Sequence, residues 1–172
     1  MQRLICVALV VLGAFPFAAG PLGGQAHSQS QKPEPPPSPL QVMERDIAAR
    51  SKTLLSESKD LGEIAKWATG TEVRVAETLD QRAMQGVMEL ESALGLIRVY
   101  EKMQCEPDRE VAKAVLKDFL RLYSPLLDVE ADGAAGDVAF TRLPAAAQAG
   151  QRIKEDLRAA KNKLDEVAAS LK

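Results

Sequence analysis

The sequence predicts an all-α fold, an antiparallel up-down-up-down bundle of about four helices preceded by a signal peptide and a disordered proline-rich linker. Apolar residues recur in steps of three and four from residue 38 onward, which is the period of an amphipathic helix. Residues that favour helix starts and helix ends separate these stretches. The sequence shows no stretch of the period-two alternation that would indicate β-strands.

The first residues have the layout of a secretory signal peptide. Residues 1–3 form a short basic start, residues 4–20 form an apolar run, and small residues follow. Residues 24–26 fit the small-residue rule for cleavage, so we expect residues 1–26 to be removed and the protein to be periplasmic or secreted. The alternative is an uncleaved anchor, because the apolar stretch is almost long enough to span a bilayer. Its prolines and glycines favour removal.

A polar, proline-rich segment, HSQSQKPEPPP, follows at residues 27–37. Such a composition favours extended, solvated backbone, because it offers too little apolar surface to offset the entropy lost on folding. We therefore expect a flexible linker, with a single helical bundle domain at residues 38–172.

The first helix is predicted to begin at Ser38 and Pro39, an N-cap followed by a proline that loses no hydrogen bond at the first helical position. It is expected to run to about Ala68, with Gly70 supplying the C-cap. The predicted buried stripe is Leu40, Met43, Ile47, Leu54, Leu61 and Ile64.

The second helix is predicted to be capped by Thr71 and to run to about Gln104. Gly86 and Gly95 either weaken this helix or allow another helix to approach closely. The predicted buried stripe is Val75, Leu79, Ala83, Val87, Leu90, Leu94 and Ile97.

The third helix is predicted to start at Asp108 and to end or bend at Ser124 and Pro125, because proline cannot continue the hydrogen-bond ladder. Residues 125–143 lack a clear period and are expected to form a connection that covers the bundle. The apolar residues of this helix lie on two adjacent sides, Val111, Val115, Phe119 and Leu122 on one, and Leu116, Leu120 and Tyr123 on the other.

The fourth helix is predicted to start at Pro144 and to reach the end of the sequence. Its apolar residues follow a heptad-like spacing that can serve as intrachain core or as a dimer interface. They are Ile153, Leu157, Ala160, Leu164, Val167 and Leu171.

Composition excludes several classes of function. The net charge is −2, and the sequence has none of the clusters of Lys and Arg that nucleic acid binding requires. His27, in the linker, is the single histidine, so histidine-dependent nucleophilic catalysis and histidine-ligated zinc, di-iron or haem sites lack their key residue. We therefore expect no enzyme and no cofactor. Catalysis by carboxylates alone, from Glu89, Glu91 or Glu101, is disfavoured because such residues usually form a solvated helix face.

Cys105 is the one cysteine left after the predicted cleavage, so an internal disulfide is not expected. Burial as a small apolar residue is the favoured interpretation. An exposed Cys105 would instead be able to form an intermolecular disulfide.

Trp67 and Tyr100 lie near predicted helix ends. The simpler interpretation is that they pack there. The alternative is that they line one end of the bundle as a binding patch.

The stretch DVEADGAAGD, which begins at Asp128, resembles the first half of an EF-hand calcium loop. Asp128, Glu130 and Asp132 would be the first ligands, and Gly133 would occupy the glycine position. The twelfth position, which needs a bidentate Glu, is Ala139. The prediction is therefore a connector between helices, with these three acidic residues as weak metal candidates.

These observations favour an exported, non-enzymatic binding or structural module of the cell envelope. The expected partner is another envelope protein or a second copy of the chain, with no nucleic acid and no membrane span after cleavage. The alternatives are a holdase-like periplasmic chaperone, which would need an exposed apolar face, and a small-ligand sensory bundle with a cavity near Gly86 and Gly95.

Overall fold

The computed structural model describes residues 36–171, and this part of the chain is entirely helical apart from its turns. The helices are α1 (Pro39–Trp67), α2 (Thr71–Lys102), α3 (Glu106–Val138) and α4 (Pro144–Ser170). The predicted all-α class and the number of helices are confirmed. The predicted signal peptide and the linker up to residue 35 lie outside the described residues.

The four helices pack as a bundle in which neighbours along the chain are also neighbours in space. α2 and α4 each contact the three other helices, whereas α1 and α3 do not contact each other. α1 and α3 therefore occupy opposite corners of the bundle. Hydrogen bonds join α1 to α2 from Ser51 to Glu91 and from Ser58 to Asp80. The residue number rises along α1 as it falls along α2, so these two helices are antiparallel. The same reversal holds between the other neighbouring helices. The directions therefore alternate up, down, up and down.

The diagonal pair α2 and α4 approaches closely at two glycines. A side chain at Gly86 would overlap Leu157 of α4, and a side chain at Gly150 would press against Leu79 of α2. The glycine-to-leucine pairs occur in the same order along both helices, so α2 and α4 run parallel. Gly86 thus allows the close approach considered from the sequence, whereas Gly95 has no atom near its missing side chain.

The core is formed by one stripe from each helix. All six apolar positions of the α4 seam are buried, so this seam belongs to the intrachain core and is not free to form a dimer interface. The large, fully buried side chains are Ile47, Leu54, Leu61, Leu79, Leu90, Leu94, Ile97, Leu116, Leu120, Leu127, Ile153 and Leu157.

The predicted end of the third helix at Ser124 and Pro125 is wrong, because α3 continues through Pro125 to Val138. A proline inside a helix removes one backbone hydrogen bond and costs about 3 kcal/mol. The buried stripe of α3 continues past it, with Leu127, Ala131 and Ala134 fully covered by neighbouring helices. This burial offsets the lost bond, so residues 125–138 of the predicted connection are about four further turns of helix, and the connection itself is residues 139–143.

The helix starts differ in how they are capped. At α1 the prediction is confirmed: the Gln41 amide donates to Ser38 Oγ at 3.1 Å, and the Ser38 amide donates to Gln41 Oε1 at 3.0 Å. At α2 the prediction is wrong, because Thr71 is already helical and the N-cap is Gly70, at a φ of +60°. That left-handed backbone favours glycine and allows a three-residue turn.

Replacing Gly86 by Ala tests the diagonal contact. The added methyl group would overlap Leu157 and lie 3.2 Å from Leu54, so Gly86→Ala is expected to lower the free energy of unfolding by about 1–3 kcal/mol. Gly95→Ala is the matched control, because its position in the same helix is open. It is expected to raise stability by roughly 0.5–1 kcal/mol. Urea unfolding measures both, and equal effects of the two substitutions would contradict the close approach.

Candidate functional site

Ion pairs bridge all four boundaries between neighbouring helices. Three of these boundaries are α1–α2, α1–α4 and α3–α4, and each carries oppositely charged side chains within 4 Å of one another. The pairs are Arg98–Glu44, Arg50–Asp156, Arg152–Glu57, Lys163–Asp46, Arg158–Asp132 and Lys161–Asp128. Charged groups of this kind keep a surface hydrated and are depleted from the cores of protein interfaces.

The fourth boundary, α2–α3, is apolar over much of its length. Near the turn that joins the two helices, a groove of about 410 Å³ lies between them. Most of its lining is aliphatic, with Asp108 as the one acidic residue. The apolar lining residues are Leu96, Val99, Met103, Val111, Ala112 and Val115.

The groove continues into an exposed apolar stripe along α3. Val111, Leu122 and Val129 are 65%, 59% and 61% exposed, and Val115 and Leu126 are also exposed. The sequence showed two apolar sides on this helix, and the structure turns Leu116 and Leu120 inward. Of the other side, Val111, Val115 and Leu122 face outward, whereas Phe119 packs partly against the core, and Tyr123 of the inward side is exposed.

The adjoining outward positions of α2 carry no charge. From Gln81 to Met103, the residues that recur at steps of three and four on this side are either uncharged polar residues or apolar residues. We define the α2–α3 face as the apolar members of both helices: Met88, Leu96, Val99, Met103, Val111, Val115, Leu122, Leu126 and Val129. Contiguous exposed apolar surface is typical of interaction sites.

A charged cluster closes the far end of this boundary. Arg82 Nε donates to Asp137 Oδ2 at 2.6 Å, and Arg82 Nη1 donates to Glu130 Oε2 at 2.8 Å. The guanidinium lies directly over Gly133, where a side chain would displace it. Burial alone would lower the pKa of Arg82, but the hydrogen bonds with Asp137 and Glu130 outweigh it and raise this pKa.

Glu89 lies buried beside this cluster, in a polar groove of about 330 Å³. Gln85 Nε2 donates to Glu89 Oε1 at 2.9 Å, whereas Oε2 is buried with no hydrogen-bond partner. Burial raises the pKa of the Glu89 carboxyl, Gln85 opposes this in part, and the Glu130 charge adds to it. This carboxyl can therefore hold a proton at a higher pH than an exposed Glu.

The other two carboxylates considered for catalysis, Glu91 and Glu101, have surroundings different from those of Glu89. Glu91 accepts a hydrogen bond from Ser51 at 2.7 Å and joins α1 to α2. Glu101 lies near the end of α2, where burial and then the Glu44 charge raise its pKa.

The three metal candidates lie on helix α3 rather than in a loop. Asp132 pairs with Arg158 at 2.6 Å, Glu130 pairs with Arg82, and Asp128 lies 3.8 Å from Lys161. A helix sends positions separated by two residues to different sides, so the three carboxylates do not converge as an EF-hand requires. Within residues 36–171, no group of three or more His, Cys, Asp or Glu residues could hold a metal ion.

Trp67 and Tyr100 are not brought together. Trp67, 60% exposed, ends α1 beside the α1–α2 turn, whereas Tyr100 lies near the opposite end of α2 beneath the Arg109 guanidinium. About 44 Å of helix separates the two ends. The stacked pair Phe119 and Tyr123, with ring centroids 4.4 Å apart, lies nearer the α2–α3 face. The spacing of four residues between Phe119 and Tyr123 is the signal in the sequence that could have indicated this stacked pair.

Cys105 is exposed, so the expectation of burial is wrong. It is the N-cap residue of α3, in the turn after α2, where few neighbouring atoms can cover it. The thiol is thus accessible for the intermolecular disulfide considered from the sequence.

Among residues 36–171, no helix combines the length and the apolarity needed to cross a bilayer. Comparison of the chain with protein-family models, with curated proteins and with solved structures gave no match.

Calcium is expected to leave the melting temperature unchanged within about 1 °C. The reason is that Asp128, Glu130 and Asp132 already face Lys or Arg side chains and diverge around a helix. The measurement is a thermal melt in millimolar calcium and again after addition of chelator, with magnesium as the ionic-strength control. A chelator-reversible stabilisation of several degrees by calcium alone would contradict the helical assignment.

Glu89→Gln is expected to stabilise the bundle at pH 8 but not at pH 4. The raised pKa means that the folded chain binds this proton more tightly than the unfolded chain, so stability falls as pH rises from the unfolded pKa through the folded one. Removing the unpaired buried charge should add about 1 kcal/mol at pH 8. Urea unfolding at both pH values measures it.

Glu77→Gln, at an exposed site of the same helix, is the control for Glu89→Gln. It is expected to change stability by less than about 0.5 kcal/mol at either pH. If Glu89→Gln lost stability at pH 8, the ionised carboxylate would have a stabilising partner in the bundle, contrary to its geometry.

Proposed function

We propose that the chain is a non-enzymatic protein-binding module that is exported to the cell envelope and docks a partner through the α2–α3 face. The exposed apolar stripe along this face supports the docking role. The proposal of export is supported by the apolar run at residues 4–20 and the small residues after it.

The distribution of charge supports this choice of surface. Exposed aliphatic side chains on a monomer cost little when they are scattered, but contiguous ones favour association because burial contributes about 25 cal/mol per Å² of apolar surface. At the α2–α3 boundary the ion pairs are confined to one end, at Arg82, and the part that contains Leu96, Val115 and Leu122 is apolar. A partner with a complementary apolar surface would therefore bind preferentially to the α2–α3 face.

The properties of Glu89 support a structural role more than catalysis. It is buried with one partner, Gln85, and the nearest cation, Arg82, is already held by two other carboxylates. General acid–base chemistry needs a substrate-accessible group and a second group placed to act with it. The cluster instead ties the end of α3 to α2 and keeps the face in place.

A holdase-like chaperone is the second candidate, because the groove at Val99 and Val111 is the exposed apolar surface that such a function needs. The two functions differ in selectivity. A docking module binds a discrete partner, whereas a holdase binds many unfolded chains. The small-ligand alternative has less support, since Leu157 and Leu54 fill the space beside Gly86.

A photo-activated cross-linking amino acid placed on the face tests the proposal in the producing cell. Incorporation at Val115 or at Leu122 is expected to give one adduct band of discrete mass after irradiation. The adduct should decrease at least tenfold when Val111→Asp is added, because a charge within the face must be desolvated on docking. Mass spectrometry of the band identifies its components.

Leu55, an exposed leucine on α1, is the matched control position and is expected to give no such band. Equal adducts at Leu55 and Leu122, or none at Val115 and Leu122, would overturn the docking face. A broad smear of many masses at face positions would favour the holdase.

A further inference from the structure

The outward stripe of α3 has the spacing of a helix-pairing seam. Val111, Val115, Leu122 and Val129 share it with Asp118 and Pro125, which complete steps of four and three along the helix. This is the a/d pattern by which two helices interlock, and the inward side of α3 already uses a different set of residues. The stripe extends about 27 Å, which is four turns or more.

The stripe is self-complementary when two copies run antiparallel. Its midpoint lies at residue 120, so reversal places Val111 at the level of the partner's Val129 and Val115 at the level of the partner's Pro125. Aliphatic positions thus meet aliphatic or proline positions at both ends. An interface in which one surface meets its own copy is the usual geometry of two-fold dimers.

The charges at the centre of the stripe favour the same arrangement. Asp118 and Arg121 are 71% and 75% exposed, and their mutual contact of 3.4 Å is a solvated pair of low energy. Their mean position, 119.5, nearly coincides with the midpoint of the stripe. Arg121 lies on the side of the stripe nearer α4, because it precedes Asp128, which faces Lys161 of α4, by 7 residues or almost two turns, and Asp118 lies within the stripe next to it.

A two-fold axis perpendicular to the helices brings the same flank of both copies together. In the register centred on residue 120, Asp118 then lies at the level of the partner's Leu122, one residue from the partner's Arg121, and Arg121 lies one residue from the level of the partner's Asp118. A parallel arrangement would instead place Asp118 of the stripe against its own copy and would carry Arg121 to the opposite flank, away from the partner's Asp118. The charges therefore favour antiparallel pairing and disfavour the parallel one.

The size of the face sets the expected affinity. A length of about 27 Å and the width of two packed helices, roughly 20 Å, give on the order of 500 Å² for each copy. Two copies together bury about 1,000 Å², the lower end of the range for specific interfaces. The dimer is accordingly expected at micromolar concentrations.

We propose that the partner of the α2–α3 face is a second copy of the chain, with α3 packed against α3 in antiparallel orientation around Asp118 and Arg121. This inference rests on the proposed docking function and specifies its partner. The dimer forms through a surface that the fold leaves open, since the seam of α4 is already buried.

Charge exchange at the centre of the face tests the dimer. The protein is purified as the cell processes it, and its mass is measured by light scattering and sedimentation from 1 to 500 µM. Asp118→Arg alone and Arg121→Asp alone each place like charges across the axis, so each is expected to weaken self-association at least tenfold. A one-to-one mixture of the two variants is expected to associate as strongly as the parent, because each substituted residue then faces an opposite charge.

Lys66→Glu provides the matched control. The Glu63–Lys66 pair on α1 has the same three-residue spacing and similar exposure, 70% and 67%, but lies away from the face. It is expected to leave the association constant unchanged. Circular dichroism of all variants shows that the bundle remains folded, as expected for substitutions at exposed positions.

A chain that stays monomeric at 500 µM would overturn the dimer, as would a dimer unaffected by either single variant. The cross-linking result at Val115 then separates the two proposals. An adduct with a different protein leaves the docking face in place with another partner. The absence of any adduct overturns the face as well.

Discussion

The arrangement of the bundle depends on the close approach of α2 and α4 at Gly86 and Gly150. Because these diagonal helices touch, α1 and α3 are kept at opposite corners and each packs into the groove between them. A corner helix buries only a narrow stripe, and α3 satisfies this requirement with Leu116, Leu120 and a few smaller residues. Its second apolar stripe is therefore surplus to the fold, which makes it the most informative surface for function.

The distribution of charged residues follows from the same geometry. Where two helices meet beside the core, long charged side chains can pair across the boundary while their aliphatic portions cover the core. Such ion pairs occur at three boundaries, and at the fourth, α2–α3, they occur only where Arg82 meets Glu130 and Asp137. The α2–α3 boundary therefore differs from the others in leaving one part of its length without charged pairs.

The sequence was a good guide wherever local chemistry and packing agreed. Ser38 and Pro39 defined the start of α1, and the spacing of the α4 seam predicted a buried stripe that the structure contains. The end of α3 was missed because Pro125 and the glycines after it have low helix propensity, and the compensating burial of Ala131 comes from distant helices. The face was visible only as one of two apolar sides, since which side turns inward is decided by tertiary packing.

The position of Arg82 over Gly133 has a consequence for how the third helix holds together. Beyond Pro125 this helix buries one leucine, Leu127, and two alanines, whereas its first half buries two leucines, so its last turns gain somewhat less from apolar burial. Besides this burial, its last turns are held by the guanidinium shared between Glu130 and Asp137 and by ion pairs of Asp128 and Asp132 with α4. Local opening of that segment is therefore expected to be salt-sensitive and to require less free energy than global unfolding.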